Sequence, residues 1–182
     1  RWCTAYHSDR QVQIMPNDEK NLKFDAEGYD LVTEALMKLA NSYPGLGEGE
    51  EFKFAQLNDD EGIAIFPSTG AHIYDERESI TGHVTQTCQY PFTAVYRASG
   101  LNEERKIGAK EWLDLFARWI EKQPVTIDGW TYKLDEWPDL SGCREIEEIT
   151  RQTPSYLLDV PDNKGENWIC EIIIRYRCEF DR

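Results

Sequence analysis

The chain has 182 residues, 34 Asp plus Glu against 20 Lys plus Arg, and a formal net charge of −14. That length predicts one domain, with enough apolar and aromatic material (40% and 12%) to exclude a disordered acidic chain. The charge argues against a sequence-independent phosphate binder and against docking on anionic lipid, and the longest apolar runs, such as Ile172-Ile173-Ile174, are far too short to span a bilayer.

Residues 1–24 are polar and weakly patterned and are read as an N-terminal extension or arm. Arg1-Trp2-Cys3-Thr4-Ala5-Tyr6 lacks the apolar stretch and small-residue cleavage site of a signal peptide, which makes the producing cell's cytosol the default. Residues 25–182 are read as a single domain. Asp25 predicts an N-cap for a helix running to about Tyr43, with Val32, Leu36, Leu39 and Tyr43 at helical spacing and Pro44-Gly45 as the stop. Phe52 to Gln56 and Gly62 to Pro67 alternate or run apolar as strands. The Asn58-Asp59-Asp60-Glu61 turn between them predicts a hairpin. Ser68 to Glu78 reads as an irregular segment that includes Tyr74-Asp75-Glu76-Arg77. Gly82 to Ala98 reads as strand, with Pro91 suggesting an edge or a bend.

A second helix follows, with Leu101 as staple, Asn102 as N-cap and an apolar face of Ile107, Trp112, Leu115, Phe116, Trp119 and Ile120; Gln123-Pro124 ends it. Trp130 to Leu134 is a short strand. Cys143 to Thr153 alternates imperfectly, which predicts a bulge or turn near Ile146 to Ile149. Trp168 to Phe180 alternates strictly. Its apolar side is Trp168, Cys170, Ile172, Ile174, Tyr176, Cys178 and Phe180, and its mixed side includes Glu171, Arg175, Arg177 and Glu179. Asp162-Asn163-Lys164-Gly165 signals a hairpin turn that pairs residues 150–160 with this strand. The order predicts an α+β fold: a mixed, mostly antiparallel sheet with two helices packed on one face.

Chemistry is sparse. Five cysteines (Cys3, Cys88, Cys143, Cys170, Cys178) without a CxxC spacing predict free buried thiols. Cys170 and Cys178, eight apart on one strand face, are too distant to bond to each other. The histidines are His7, His72 and His83. His83 sits at an odd offset from Cys88, which puts the two on opposite faces of a strand, and His72 could meet Cys88 only through the fold. His72-Ile73-Tyr74-Asp75 lacks a His-x-x-x-Asp spacing. Asn58 to Gly62 lacks the ligand spacing of a calcium loop, and no phosphate-binding glycine motif, GxSxG or HExxH is present. No metal or cofactor is expected, and the enzyme reading, a small Cys/His-dependent hydrolase or acyltransferase, is the weaker alternative.

Several passages in order carry a resemblance. They are Tyr43-Pro44 closing a helix, Phe52-Lys53-Phe54-Ala55-Gln56-Leu57, Glu61-Gly62-Ile63-Ala64-Ile65-Phe66-Pro67-Ser68-Thr69-Gly70, and Tyr90-Pro91-Phe92-Thr93-Ala94-Val95-Tyr96-Arg97. A tryptophan-bearing helix from Trp112 to Trp119 and a final strand ending Ile174-Arg175-Tyr176-Arg177 complete them. Over about residues 29–180 the chain resembles the tail terminator (minor capsid protein) family of long-tailed bacteriophages of the siphophage type.

The resemblance implies a ring, typically a hexamer, at the head-proximal end of the virion tail, assembled in the host cytoplasm. Such a ring caps the tail tube protein, ends its polymerisation and accepts the head connector or stopper protein, without catalysis, cofactor or membrane. Another head–tail joint, a neck or head-completion protein, is the alternative.

On this reading Glu171, Arg175, Arg177 and Glu179 are candidates for ion pairs between subunits. Tyr74, Asp75, Glu76 and Arg77 form a candidate loop for contact with tube or connector. Asp18 to Glu61 carries twelve acids against four bases, and Asp135 to Glu148 six against one. Asp59, Asp60 and Glu61 are therefore candidates to line a lumen through which DNA passes without being held.

Overall fold

A computed structural model describes residues 23–58, 61–98, 103–159 and 165–182. Across the described residues the architecture is α+β, with two helices and a largely antiparallel mixed sheet. The sheet is organised by two strands of 16 residues, β4 (His83–Ala98) and β9 (Glu166–Asp181). They pair antiparallel along their whole length, from His83 opposite Asp181 to Ala98 opposite Glu166. Each is roughly 50 Å long at the usual rise per residue.

Each long strand is flanked on its other side by two shorter ones. β4 takes β2 (Gly62–Pro67) and β3 (His72–Glu78); β9 takes β7 (Arg144–Arg151) and β8 (Tyr156–Asp159). β1 (Phe52–Phe54) extends the β2 side. β5 (Val125–Ile127) and β6 (Trp130–Tyr132) form a separate two-stranded hairpin. Its turn places Asp128 and Gly129 at φ of 49° and 81°, the left-handed pair that a two-residue hairpin turn requires.

Period-two alternation sorts the sheet into two faces. Cys88, Tyr90, Phe92 and Ala94 of β4 and Cys170, Ile172, Ile174 and Tyr176 of β9 belong to one core cluster. Both helices cover this face. From α1 (Ala26–Ala40), Thr33 Oγ1 lies 2.8 Å from the Tyr90 hydroxyl, and the Tyr29 ring packs on that of Tyr90. From α2 (Glu103–Ile120), Trp112 packs on Tyr96 with ring centroids 5.2 Å apart. Between the helices, Tyr43, Phe52, Trp112, Phe116 and Trp119 make one aromatic cluster. The Trp112 indole N–H donates to the Gly45 carbonyl, so its polar edge is satisfied while its rings stay in the core.

Asp25 caps α1 as its sequence predicts: the Gly28 amide donates to its carboxylate at 2.9 Å. The helix ends at Ala40, three residues before the predicted end at Tyr43. Ser42 and Tyr43 amides then bond to the Leu39 and Ala40 carbonyls in a tighter final turn. Ile107, assigned to the apolar face of α2, is instead exposed, and the buried face is Ala109, Leu113, Phe116, Ala117, Trp119 and Ile120. The predicted staple Leu101 and cap Asn102 lie outside the described residues, as do residues 162–164 of the Asp162-Asn163-Lys164-Gly165 turn.

Three expectations are corrected. Residues 52–66 are not a hairpin. β1 and β2 run parallel, Phe52 beside Ile63 and Phe54 beside Ile65, and Ala55 at φ 51° begins the return of the chain to the start of β2. The segment through Tyr74-Asp75-Glu76-Arg77 is not irregular. It is β3, paired with β4 through a bulge between Ile73 and Asp75.

Pro91 lies neither on an edge nor at a bend but inside the central strand. Its carbonyl accepts from the Ser68 amide, so its missing N–H faces the β2 and β3 side. β3 pairing ends at Gln89 and β2 pairing begins at Phe92, and Pro91 occupies the gap between them, where no ladder bond is lost.

Candidate assembly surface

The sheet face opposite the helices carries the odd-numbered residues of β4 and β9. It is polar along most of its length: Thr85, Thr87, Gln89 and Thr93 on one strand, Glu171, Arg175, Arg177 and Glu179 on the other. The register with β7 decides what the charges meet. Glu145 lies opposite Arg177, and Glu148 opposite Arg175 across the bulge at Glu147. Arg175 Nη1 donates to Glu148 at 2.9 Å, and Arg177 Nη2 donates to Glu145 at 2.9 Å. Glu147 and Glu179 stand 3.7 and 3.5 Å from Arg177 Nε. The bond to Glu145, with the charges of Glu179 and Glu147, raises the Arg177 pKa. The Tyr156 hydroxyl reaches Glu171 at 3.4 Å. The four residues assigned to ion pairs between subunits thus share one face, and each has a partner within its own chain.

The predicted contact group divides in two. Tyr74 is exposed at the bulge of β3, and Asp75 and Arg77 pair with each other at 3.0 Å. Glu76 points the other way and is a joint. It accepts from Gln86 Nε2 at 2.7 Å and meets Lys23 and Arg182 at 3.4 and 3.3 Å. The Gln86 bond leads the contributions that hold its pKa below the ordinary carboxylate value.

Asp59 and Asp60 lie outside the described residues. Glu61 is exposed at the mouth of an open cleft of about 340 Å³, lined also by Glu50, Glu51, Lys53, Tyr96 and Arg97. Burial, reinforced by the charges of Glu50 and Glu61, raises the Tyr96 pKa.

The cysteines and histidines form no nucleophile pair among the described residues. Cys88 is fully buried in the core, and burial pushes its thiol up to about 11. His72 lies opposite Gln89, on the other face of the sheet. His83 Nδ1 lies 2.9 Å from Asp181 at the exposed end of the sheet. The expectation of free thiols throughout is corrected: Cys143 and Cys178 are joined in a disulfide, and Cys88 and Cys170 are free. β7 begins at Arg144 opposite Cys178, which brings Cys143 beside it; a bulged register hides that pairing from the sequence. Among the described residues no His, Cys, Asp and Glu group could hold a metal ion, and no helix is long and apolar enough to cross a membrane.

Two surface features carry no sequence signal beyond ordinary strand composition. Trp130 is 72% exposed at the end of the β5–β6 hairpin, although its cross-strand partner Ile127 packs against the core. Tyr156, Leu157 and Leu158 of β8 are also exposed. Exposed edge strands with apolar side chains are pairing sites unless covered. The chain matches no protein-family model, and comparison with curated proteins finds no significant relative.

Proposed function

We propose that this chain is a structural subunit that closes into a ring, of the tail terminator type, at the head-proximal end of a phage tail. The observation that carries the reading is the one-sided sheet. Two full-length strands hold both helices on one face; the other face, polar along most of its length and charged from Glu171 to Glu179, carries no helix among the described residues. The fold is the α+β one that the element order predicts, and the resembling passages fall on its main elements: β1, β2, β4, α2 and β9. A buried Cys88 thiol on the opposite sheet face from His72 favours a structural role over nucleophilic catalysis.

In this reading the helix-free face and the exposed strands β3 and β8 meet neighbouring subunits and the tail tube. Glu50, Glu51 and Glu61 face passing DNA, which an acidic lining does not retain. The deciding experiment is tube polymerisation in vitro. Added chain should cap growing tail tubes at a fixed length and remain at one end. Binding to a head connector with no effect on tube growth would instead mark a neck protein, and binding to neither would overturn the reading.

A further inference from the structure

Cys143 and Cys178 are 35 positions apart with Cα atoms 5.1 Å from each other. Their surroundings differ. Cys178 is 3% exposed near the end of β9, while Cys143 is exposed in the turn that opens β7. The next residue after Cys143 is Arg144, and two residues before Cys178 is Tyr176. Both side chains converge on Asp25: Arg144 Nε and Nη2 donate to its carboxylate at 2.9 and 2.8 Å, and the Tyr176 hydroxyl donates at 2.9 Å. Asp25 in turn caps α1 and fixes the strap before it. Its amide donates to the Ala71 carbonyl, the Ile73 amide donates to the Lys23 carbonyl, and Phe24 bridges His72.

We propose that the Cys143–Cys178 bond is a redox latch on the segment from Lys23 to Tyr29. A thiolate of a dithiol reductant attacks the exposed Cys143 sulfur. The Cys143–Cys178 bond breaks, and Cys178 leaves as a thiolate and takes a proton. The reductant's second thiolate then attacks its own sulfur in the mixed disulfide, Cys143 leaves and is protonated, and the reductant departs as a cyclic disulfide. Two electrons and two protons pass to the protein. The first residues of β7 are then held to β9 by the ladder alone, which begins with the Glu179 amide on the Cys143 carbonyl at 3.1 Å and Arg144 opposite Cys178. That end of the ladder opens more readily, and each opening takes Arg144 off Asp25 and the cap off the first turn of α1. The latch couples the thiol state of one sheet corner to the entry of the chain along β3.

The test is peptide mapping with hydrogen exchange on the full chain, with and without dithiothreitol. Protein purified without reductant and alkylated at once should yield a linked Cys143–Cys178 peptide. Opening the bond should speed amide exchange in residues 24–30 at least about tenfold, leave the middle of α2 unchanged, and lower the Tm by about 8 °C. The Cys143→Ser/Cys178→Ser variant should exchange like the reduced protein in both conditions, and the wild-type comparison decides the question without it. Alkylated Cys143 and Cys178 in protein never exposed to reductant would overturn the proposal. So would a linked peptide whose reduction leaves residues 24–30 unchanged, since the bond would then be a staple with no coupling to the strap.

Discussion

Arg144 forks onto Asp25 across 119 positions of sequence, with Nε at 2.9 Å and Nη2 at 2.8 Å, and both side chains are more than nine-tenths buried. One carboxylate therefore serves the cap of α1, the hydroxyl of Tyr176 and the start of β7. Removing one partner of such a pair leaves the other buried and unpaired. Arg144→Met should cost about 3–5 kcal/mol in urea unfolding, well beyond what losing an exposed ion pair would cost.

The same carboxylate sets a pH dependence. Burial opposes its ionisation, but bonds from Arg144, the Gly28 amide and Tyr176 outweigh that and hold its pKa below the ordinary carboxylate value. A depressed folded-state pKa contributes stability that is present above the unfolded value and lost as pH falls through the folded value. The stability gap between wild type and Asp25→Asn should be widest at neutral pH and shrink as the pH drops below about 4. Urea titrations at stepped pH read this directly, and a gap that stays constant down to pH 2 contradicts it.

Gly28 sits in the first turn of α1, where alanine ordinarily favours a helix by up to about 1 kcal/mol. A Cβ there would overlap the Asp25 carboxylate and lie 2.5 Å from the Tyr176 hydroxyl. Gly28→Ala should therefore destabilise the chain by about 2–3 kcal/mol despite its helix propensity. A thermal or urea melt shows the sign immediately.

The sequence makes these elements legible to different degrees. Trp168 to Phe180 reads plainly because one buried face imposes strict alternation, and α1 reads from its cap and its Val32, Leu36, Leu39 stripe. Parallel pairing of β1 with β2 does not read, because two short strands joined by a polar turn look the same in either direction. β3 does not read as a strand because its bulge breaks the alternation at Tyr74. The partners of Arg175 and Arg177, and the bond between Cys143 and Cys178, depend on the register of β7 against β9, which the bulge at Glu147 shifts. Local pattern determines faces; it does not determine which strands meet.

Arg177 is about 40% exposed amid Glu145, Glu147 and Glu179. Exposed pairs contribute little to folding, so Arg177→Glu should move the Tm by less than about 3 °C. If this face meets a neighbouring subunit, the same change places a fourth acid beside Glu145, Glu147 and Glu179 and should sharply reduce the fraction of chain in rings. Parallel melts and mass measurements separate the two effects.

The acidic cleft supplies a further outcome. If the chain forms the proposed ring, the wild-type ring should not retain double-stranded DNA at 50 mM salt. Rings of Glu50→Lys/Glu61→Lys should retain it, with an affinity that falls steeply as salt rises. Filter binding across a salt series checks this, and equal retention by both proteins contradicts an acidic lumen.

The most direct test of the ring is its mass and symmetry, taken by native mass spectrometry and negative-stain imaging with the tail tube protein present. The proposal predicts a closed ring of six copies of this 21.2 kDa chain, about 127 kDa, seated at one end of each tube. A strict monomer in every condition, including on assembled tails, would contradict it.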